Sequence, residues 1–259
     1  MLLKESFVDL KTPAGTMRTH LFEPVIGGRF PALVLFSEIY QVTGPIQRIA
    51  RRLAGRGLIV AAPEVYHEFE PPGSVFSYDK EGTDKGNCYK YEKAVDAFDD
   101  DCRAVIEYLR AHPSCTGRLG SVGVCLGGHL SLRACMSPEV LAGACLYPTD
   151  VHSSTLGKGK QDDSLNRLGD IRGELLMVWG RQDPHIPLAG RRTIYDALTD
   201  ADVDFSWHEF NAQHAFLRDE GHRYDPALGE ICYAMIFELF ERRLLHSATP
   251  GTDSDAADC

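Results

Sequence analysis

Short apolar runs alternate along this chain with segments whose apolar residues recur at helical spacing. "FPALVLFSEIY" (30–40) begins with such a run, and "GPIQRIARRLAGRG" (44–57) follows with Ile46, Ile49, Ala50 and Leu53 on one face and glycines at its end. "LIVAAPEVY" (58–66) is a second run, and "YEKAVDAFDDDCRAVIEYLRAH" (91–112) predicts a long amphipathic helix stopped by Pro113. "GRLGSVGV" leads into a third strand, with "LSLRACM" starting the helix after it. The pattern continues with strands at 141–148, 174–180 and 204–210 and helices at 189–201 and 226–246. Strands that are apolar throughout must be covered on both faces, which predicts an α/β fold with a mainly parallel central sheet and helices on both sides.

One domain is expected over 1–246, with an acidic, small-residue tail over 247–259 expected to be disordered. The stretch 67–90, rich in Glu, Pro, Gly, Tyr and Lys, reads as a long irregular loop, either functional or disordered, and the sequence does not decide whether it forms a lid. The net charge of −10, with no run of lysine and arginine, argues against a nucleic-acid partner. The amino terminus carries Lys4, Glu5 and Asp9 and has no apolar stretch of signal-peptide length. No segment approaches a membrane span. These features predict a cytoplasmic protein with no membrane partner, a monomer or weak homo-oligomer. The eight cysteines form no C-x-x-C pair and no zinc spacing, so neither a metal nor a cofactor is expected.

Among those cysteines, Cys125 stands apart. "SVGVCLGGHL" (121–130) places it in G-x-C-x-G, with Gly123, Gly127 and Gly128 around it. In a G-x-S-x-G elbow a strand turns sharply into a helix, small neighbours let the backbones pass, and the central side chain is left exposed. A thiol would be served equally. The competing reading is a small apolar residue at a tight bend. A nucleophile needs a base and the base an orienting acid, in the chain order nucleophile, acid, histidine. Asp183 lies just past the strand 174–180, and His214 just past 204–210. Taken singly, each is an ordinary loop residue; in that order, each past a strand end, they form a candidate triad with Cys125. His185 is too near Asp183 in sequence to serve easily as its partner. His222 reads as a solvated loop residue, His129 as a packing or capping group of the elbow helix, and His208 as a strand residue. Glu38 ends an otherwise apolar strand. It is either a surface or capping acid, or a carboxylate that takes the thiol proton.

The combination of "SEIYQVTGPIQRIARRLAGRGLIVAAPEVY", "GVCLGG", "WGRQDPHIP" and "QHAFLRD" resembles the dienelactone hydrolase family from about Phe30 to Phe240. The resemblance implies an α/β-hydrolase fold, a triad of Cys125, His214 and Asp183, and a Glu38 that partners the thiol when substrate binds. It implies an oxyanion hole at the backbone amides of Leu126 and Ile39. It also implies an anion-binding role for Arg218, with Lys85 and Tyr89 as the second cation and the tyrosine. Two departures bear on substrate: Lys85 stands where the dienelactone-opening enzyme typically has arginine, and Ala215 stands where it has serine. The implied partner is a small-molecule ester or lactone, carboxylated if Arg218 and Lys85 serve as implied. A carboxylesterase or thioesterase without an anion requirement, an inactive hydrolase-like binding protein and a redox-sensing thiol protein are the competing readings.

Overall fold

The computed structural model describes residues 1–245; the expected tail over 247–259 lies outside the described residues. Two strands absent from the sequence reading open the chain, β1 (Leu3–Thr12) and β2 (Gly15–Pro24), paired antiparallel with Leu10 opposite Met17. The expected alternation follows: β3 (Phe30–Phe36), α1 (Gly44–Ala54), β4 (Ile59–Pro63), α2 (Lys80–Glu92), α3 (Val95–Ala111), β5 (Cys115–Val124), α4 (Leu126–Ala134) and β6 (Val140–Leu146). Then come β7 (Glu174–Gly180), α5 (Leu188–Asp200), β8 (Phe205–Phe210) and α6 (Pro226–Phe240), which ends in one wider turn at Glu241–Leu245.

All eight strands form one sheet in the order β1-β2-β4-β3-β5-β6-β7-β8. From β4 to β8 every pairing is parallel, and β2 joins β4 antiparallel. The parallel strands β4 and β7 are buried at every position, as their unbroken apolar sequences require. The strand order reverses at β3, which has β4 on one side and β5 on the other. Connections leaving the carboxyl ends of β3 and β5 therefore diverge, and such a switch point leaves a crevice above the sheet.

Two expectations need correction. The stretch 67–90 is irregular only as far as Asp79, whose side chain caps α2 by accepting from the Gly82 amide at 2.8 Å. Gly82 and Gly86 are poor helix formers and α2 has no apolar stripe, which hid it from a periodicity reading. The helix expected over 91–112 is broken: Lys93 and Ala94 are extended, with ψ of 134° and 147°, between α2 and α3. The Lys93 side chain turns inward and is fully buried, 2.9 Å from Asp101 Oδ2 and paired with Glu68. His67 Nε2 meets the other Asp101 oxygen at 2.9 Å. Removing one member of a buried ion pair strands the others, so Lys93→Met is expected to lower the unfolding free energy by about 3 kcal/mol in urea denaturation.

Candidate active site

Cys125 joins β5 to α4 with φ 59° and ψ −122°, a conformation that residues bearing a β-carbon rarely adopt. The bend is held from several directions. The Cys125 amide donates to the Leu146 carbonyl at 3.1 Å, and its own carbonyl accepts from the amides of Gly128 (3.0 Å) and Thr149 (3.3 Å). The neighbouring glycines are required by close approach. A methyl group at Gly123 would fall 1.9 Å from the Gly127 carbonyl oxygen, and one at Gly127 would fall 2.1 Å from that of Phe36. The bend leaves Cys125 half-buried, lining a cavity of about 1050 Å³ above the β3–β5 crevice.

His214 lines the same cavity from the connection after β8, and its Nδ1 donates to Asp183 Oδ2 at 2.5 Å. Asp183 is buried after β7, and its Oδ1 accepts from the His185 amide at 2.8 Å. The sequence order thus becomes a spatial one, because the parallel strands β5, β7 and β8 deliver their carboxyl ends to one edge of the sheet. Burial opposes charge on the His214 imidazole. Electrostatic interaction with the Cys125 sulfur, the hydrogen bond to Asp183 and a hydrogen bond to Cys125 outweigh it and raise the His214 pKa to about 10. The ring is flanked edge-on by Tyr147 (5.1 Å between centroids) and His185 (4.7 Å).

Glu38 is 2% exposed at the mouth of β3 and lines the cavity. Its Oε2 lies 3.6 Å from Arg218 Nη1, an ion-pair separation too long for a hydrogen bond, and it has no hydrogen-bond partner. Burial raises the Glu38 pKa, partly offset by the positive charges of Arg218 and His214. Of the two readings, the surface acid is excluded. Ile39 also lines the cavity. Leu126 opens α4; the first amides to bond back into that turn are those of Gly128 and His129, so the Leu126 N–H precedes the helical ladder.

Arg218 lies in the cavity wall, with its guanidinium 4.2 Å from the Tyr78 ring centroid. Lys85 and Tyr89 do not line the cavity: Lys85 Nζ is 2.5 Å from Glu70 Oε1, and the Tyr89 hydroxyl donates to the same oxygen at 2.7 Å. On a helix, residues 85 and 89 share a face, and α2 turns that face towards Glu70 rather than the cavity. The face it presents to the cavity carries Thr83, Asn87 and Lys90. Lys90 is buried and paired with Asp150 at 2.9 Å. The sequence reading passed over Lys90, Tyr78, Asp150 and His152, all in the wall. Lys90 was adjacent to the residues it singled out, and only the phase of α2 separates them. His222 is an exposed loop residue as expected, at the edge of the cavity, whereas His208 does not line it. His129 is buried as expected, its Nδ1 donating to the Thr149 carbonyl at 2.9 Å.

The sequence matches the dienelactone hydrolase family over residues 17–244. The chain belongs to that family. A Saccharomyces cerevisiae relative, named as a candidate carboxymethylenebutenolidase, is 42% identical over 94% of this chain and 93% of its own length. A Pseudomonas carboxymethylenebutenolidase is 25% identical over 93% of this chain and 96% of that one. The fold is also that of a candidate dienelactone hydrolase from Klebsiella pneumoniae, with a TM-score of 0.81 at 20% identity, covering 93% of this chain and all of the other. The protein is a hydrolase of the dienelactone hydrolase type with an α/β-hydrolase fold. Among the described residues no helix is long and apolar enough to cross a membrane.

The described cysteines differ sharply in setting. Burial pushes the thiols of Cys135 and Cys232 up to about 12 and raises those of Cys102, Cys115 and Cys145. The exposed Cys88 thiol is raised by its hydrogen bond to Glu92. Among them only Cys125 combines solvent access with an adjacent imidazole whose pKa is raised. Iodoacetamide is expected to modify Cys125 before the other seven cysteines of the chain, as read by peptide mapping after brief exposure; even labelling across the eight would contradict this.

Proposed function

We propose that this protein hydrolyses lactones and activated carboxylic esters through a thioacyl-enzyme intermediate on Cys125. The observation that carries the reading is the meeting of the Cys125 elbow and the His214–Asp183 pair in one cavity. The sulfur attacks the ester carbonyl as thiolate, with its proton held on His214 and the imidazolium oriented by Asp183. The carbonyl becomes a tetrahedral oxyanion, received by the amides of Leu126 and Ile39; each such donor is typically worth ~100-fold or more in rate. Collapse breaks the carbon–oxygen bond of the leaving group, which takes the proton from His214. Water, deprotonated by His214, then attacks the thioester, and collapse of that second intermediate returns the thiolate and releases the carboxylic acid. Thiolate is itself a good leaving group, so a poor leaving group loses the competition at the first intermediate. The chemistry therefore favours enol lactones, activated esters and thioesters over amides.

Glu38 and Arg218 form a pair that substrate can rearrange. A substrate carboxylate accepted by Arg218 releases the buried Glu38 carboxylate, which relays the Cys125 proton to His214. One observation favours a second reading without an anion requirement. Of the cations in the cavity wall, Arg218 and Lys90 already face Glu38 and Asp150, so a neutral ester would enter without breaking either ion pair.

Cys125→Ala is expected to abolish turnover of p-nitrophenyl esters while leaving the thermal unfolding transition in place; surviving activity would show another nucleophile. Arg218→Ala separates the two readings. A requirement for anions predicts a KM for carboxylated lactones raised about tenfold or more, with neutral esters far less affected, as expected for loss of one partly buried charge-assisted contact. Equal effects on both substrate classes would favour the reading without an anion requirement.

A further inference from the structure

Helix α2 meets the rest of the protein through Gly82, Gly86 and Lys90, the residues it buries, one at every fourth position. A surface helix ordinarily buries an apolar stripe. Here backbone approach and polar contacts take its place. Lys90 pairs with Asp150, the Tyr40 hydroxyl meets Thr83 Oγ1 at 2.8 Å, and the hydroxyl of the fully buried Tyr66 donates to the Gly86 carbonyl at 3.0 Å.

The neighbour that Gly86 touches is Ile39. A methyl group at residue 86 would fall 2.3 Å from the Ile39 carbonyl oxygen, 3.0 Å from Ile39 Cβ and 3.1 Å from its carbonyl carbon. Nothing larger than hydrogen fits at that separation. Alanine would make a better helix, so the local cost of glycine is offset by the close approach it permits. The loop beyond Ile39 is fixed independently: the Tyr40 carbonyl accepts from the Phe76 amide at 3.1 Å, and Gln41 is left-handed at φ 68°. Glu38, before it, sits at the end of β3 against Arg218. On the side away from these contacts Ile39 meets Gly86.

We infer that Gly86 is a positioning residue for the oxyanion-binding amide of Ile39, with α2 acting as a clamp that Tyr66 holds at the correct height. The inference rests on the reading of Ile39 as an oxyanion donor under Proposed function. Contact with the carbonyl and Cβ of Ile39 fixes its α-carbon, and hence where its N–H points. A shift of about 1 Å in such a donor can cost as much as ~100-fold in rate.

The test is Gly86→Ala, assayed with p-nitrophenyl acetate and, separately, by iodoacetamide alkylation of Cys125. Alkylation displaces iodide at a saturated carbon and develops no oxyanion, so it reports the thiolate without the hole. Gly86→Ala is expected to lower kcat by about tenfold or more with KM little changed, while the alkylation rate stays at the wild-type value. Tyr66→Phe removes only the hydroxyl under Gly86 and is expected to shift kcat in the same direction by less; it serves as the reporter should Gly86→Ala fold poorly. Gly82→Ala, on the same helix but against the preceding segment, where its methyl would fall 2.0 Å from the Ser77 carbonyl oxygen, is expected to keep most of its kcat. Wild-type kcat in Gly86→Ala (or in Tyr66→Phe, where that is the reporter) would overturn the inference. Alkylation falling in step with kcat, or an equal loss in Gly82→Ala, would do the same. If Cys125→Ala retains turnover, the functional reading itself fails. If Cys125→Ala is inactive and Gly86→Ala behaves as wild type, that reading stands and this inference alone falls.

Discussion

The backbone at Cys125 is forced into a conformation that costs of order 1–3 kcal/mol for a residue with a side chain, and the surrounding structure depends on holding it there. Gly123, Gly127 and the carbonyl of Phe36 lie close enough that no β-carbon could be added at either glycine. β3, β5 and α4 are thereby locked together at one point. The same closeness lifts the Cys125 sulfur into the crevice where the sheet order reverses, and it leaves the Leu126 amide at the open start of α4. Relaxing the bend would lower the strain and withdraw the sulfur from His214.

Around that point several charges of the cavity wall are matched in pairs. His214 faces Asp183 on one side and the Cys125 sulfur on the other, Arg218 faces Glu38, and Lys90 faces Asp150. A buried carboxylate without a partner would be costly, and each of these has one. The Arg218–Glu38 contact is the loosest of them at 3.6 Å, and Glu38 Oε2 makes no hydrogen bond. That looseness suits a pair that exchanges partners during a reaction, whereas the Asp183–His214 bond suits one that holds a ring in place.

Much of this could be read from residues alone. β3, β4, β6 and β7 are short apolar runs, and the glycine spacing around Cys125 marks the elbow, because both signals are local. Asp183 and His214 were legible because parallel strands put their carboxyl ends on one edge, so position after a strand translates into position in space. What escaped detection depends on non-local contacts. β1 and β2 lie at one side of the sheet, β1 is exposed at alternate positions, and their mixed sequences carry little apolar signal. α2 buries glycines and a lysine, and a periodicity reading counts neither as core. The break at Lys93 is set by Glu68, Asp101 and His67, none of which announces the contact in sequence. A shift in the phase of α2 then exchanged Lys85 and Tyr89 for Lys90 and Tyr91 at the cavity.

Rapid mixing of the intact protein with p-nitrophenyl acetate, acid quenching within the first turnover and mass mapping of the acyl group would settle the chemistry. Acetyl on Cys125 alone, appearing with the burst of nitrophenol and decaying at the steady-state rate, is the expected result. A burst with the acyl group on any other side chain, or turnover with no covalent intermediate in a species competent to form one, would contradict sulfur as the reacting atom.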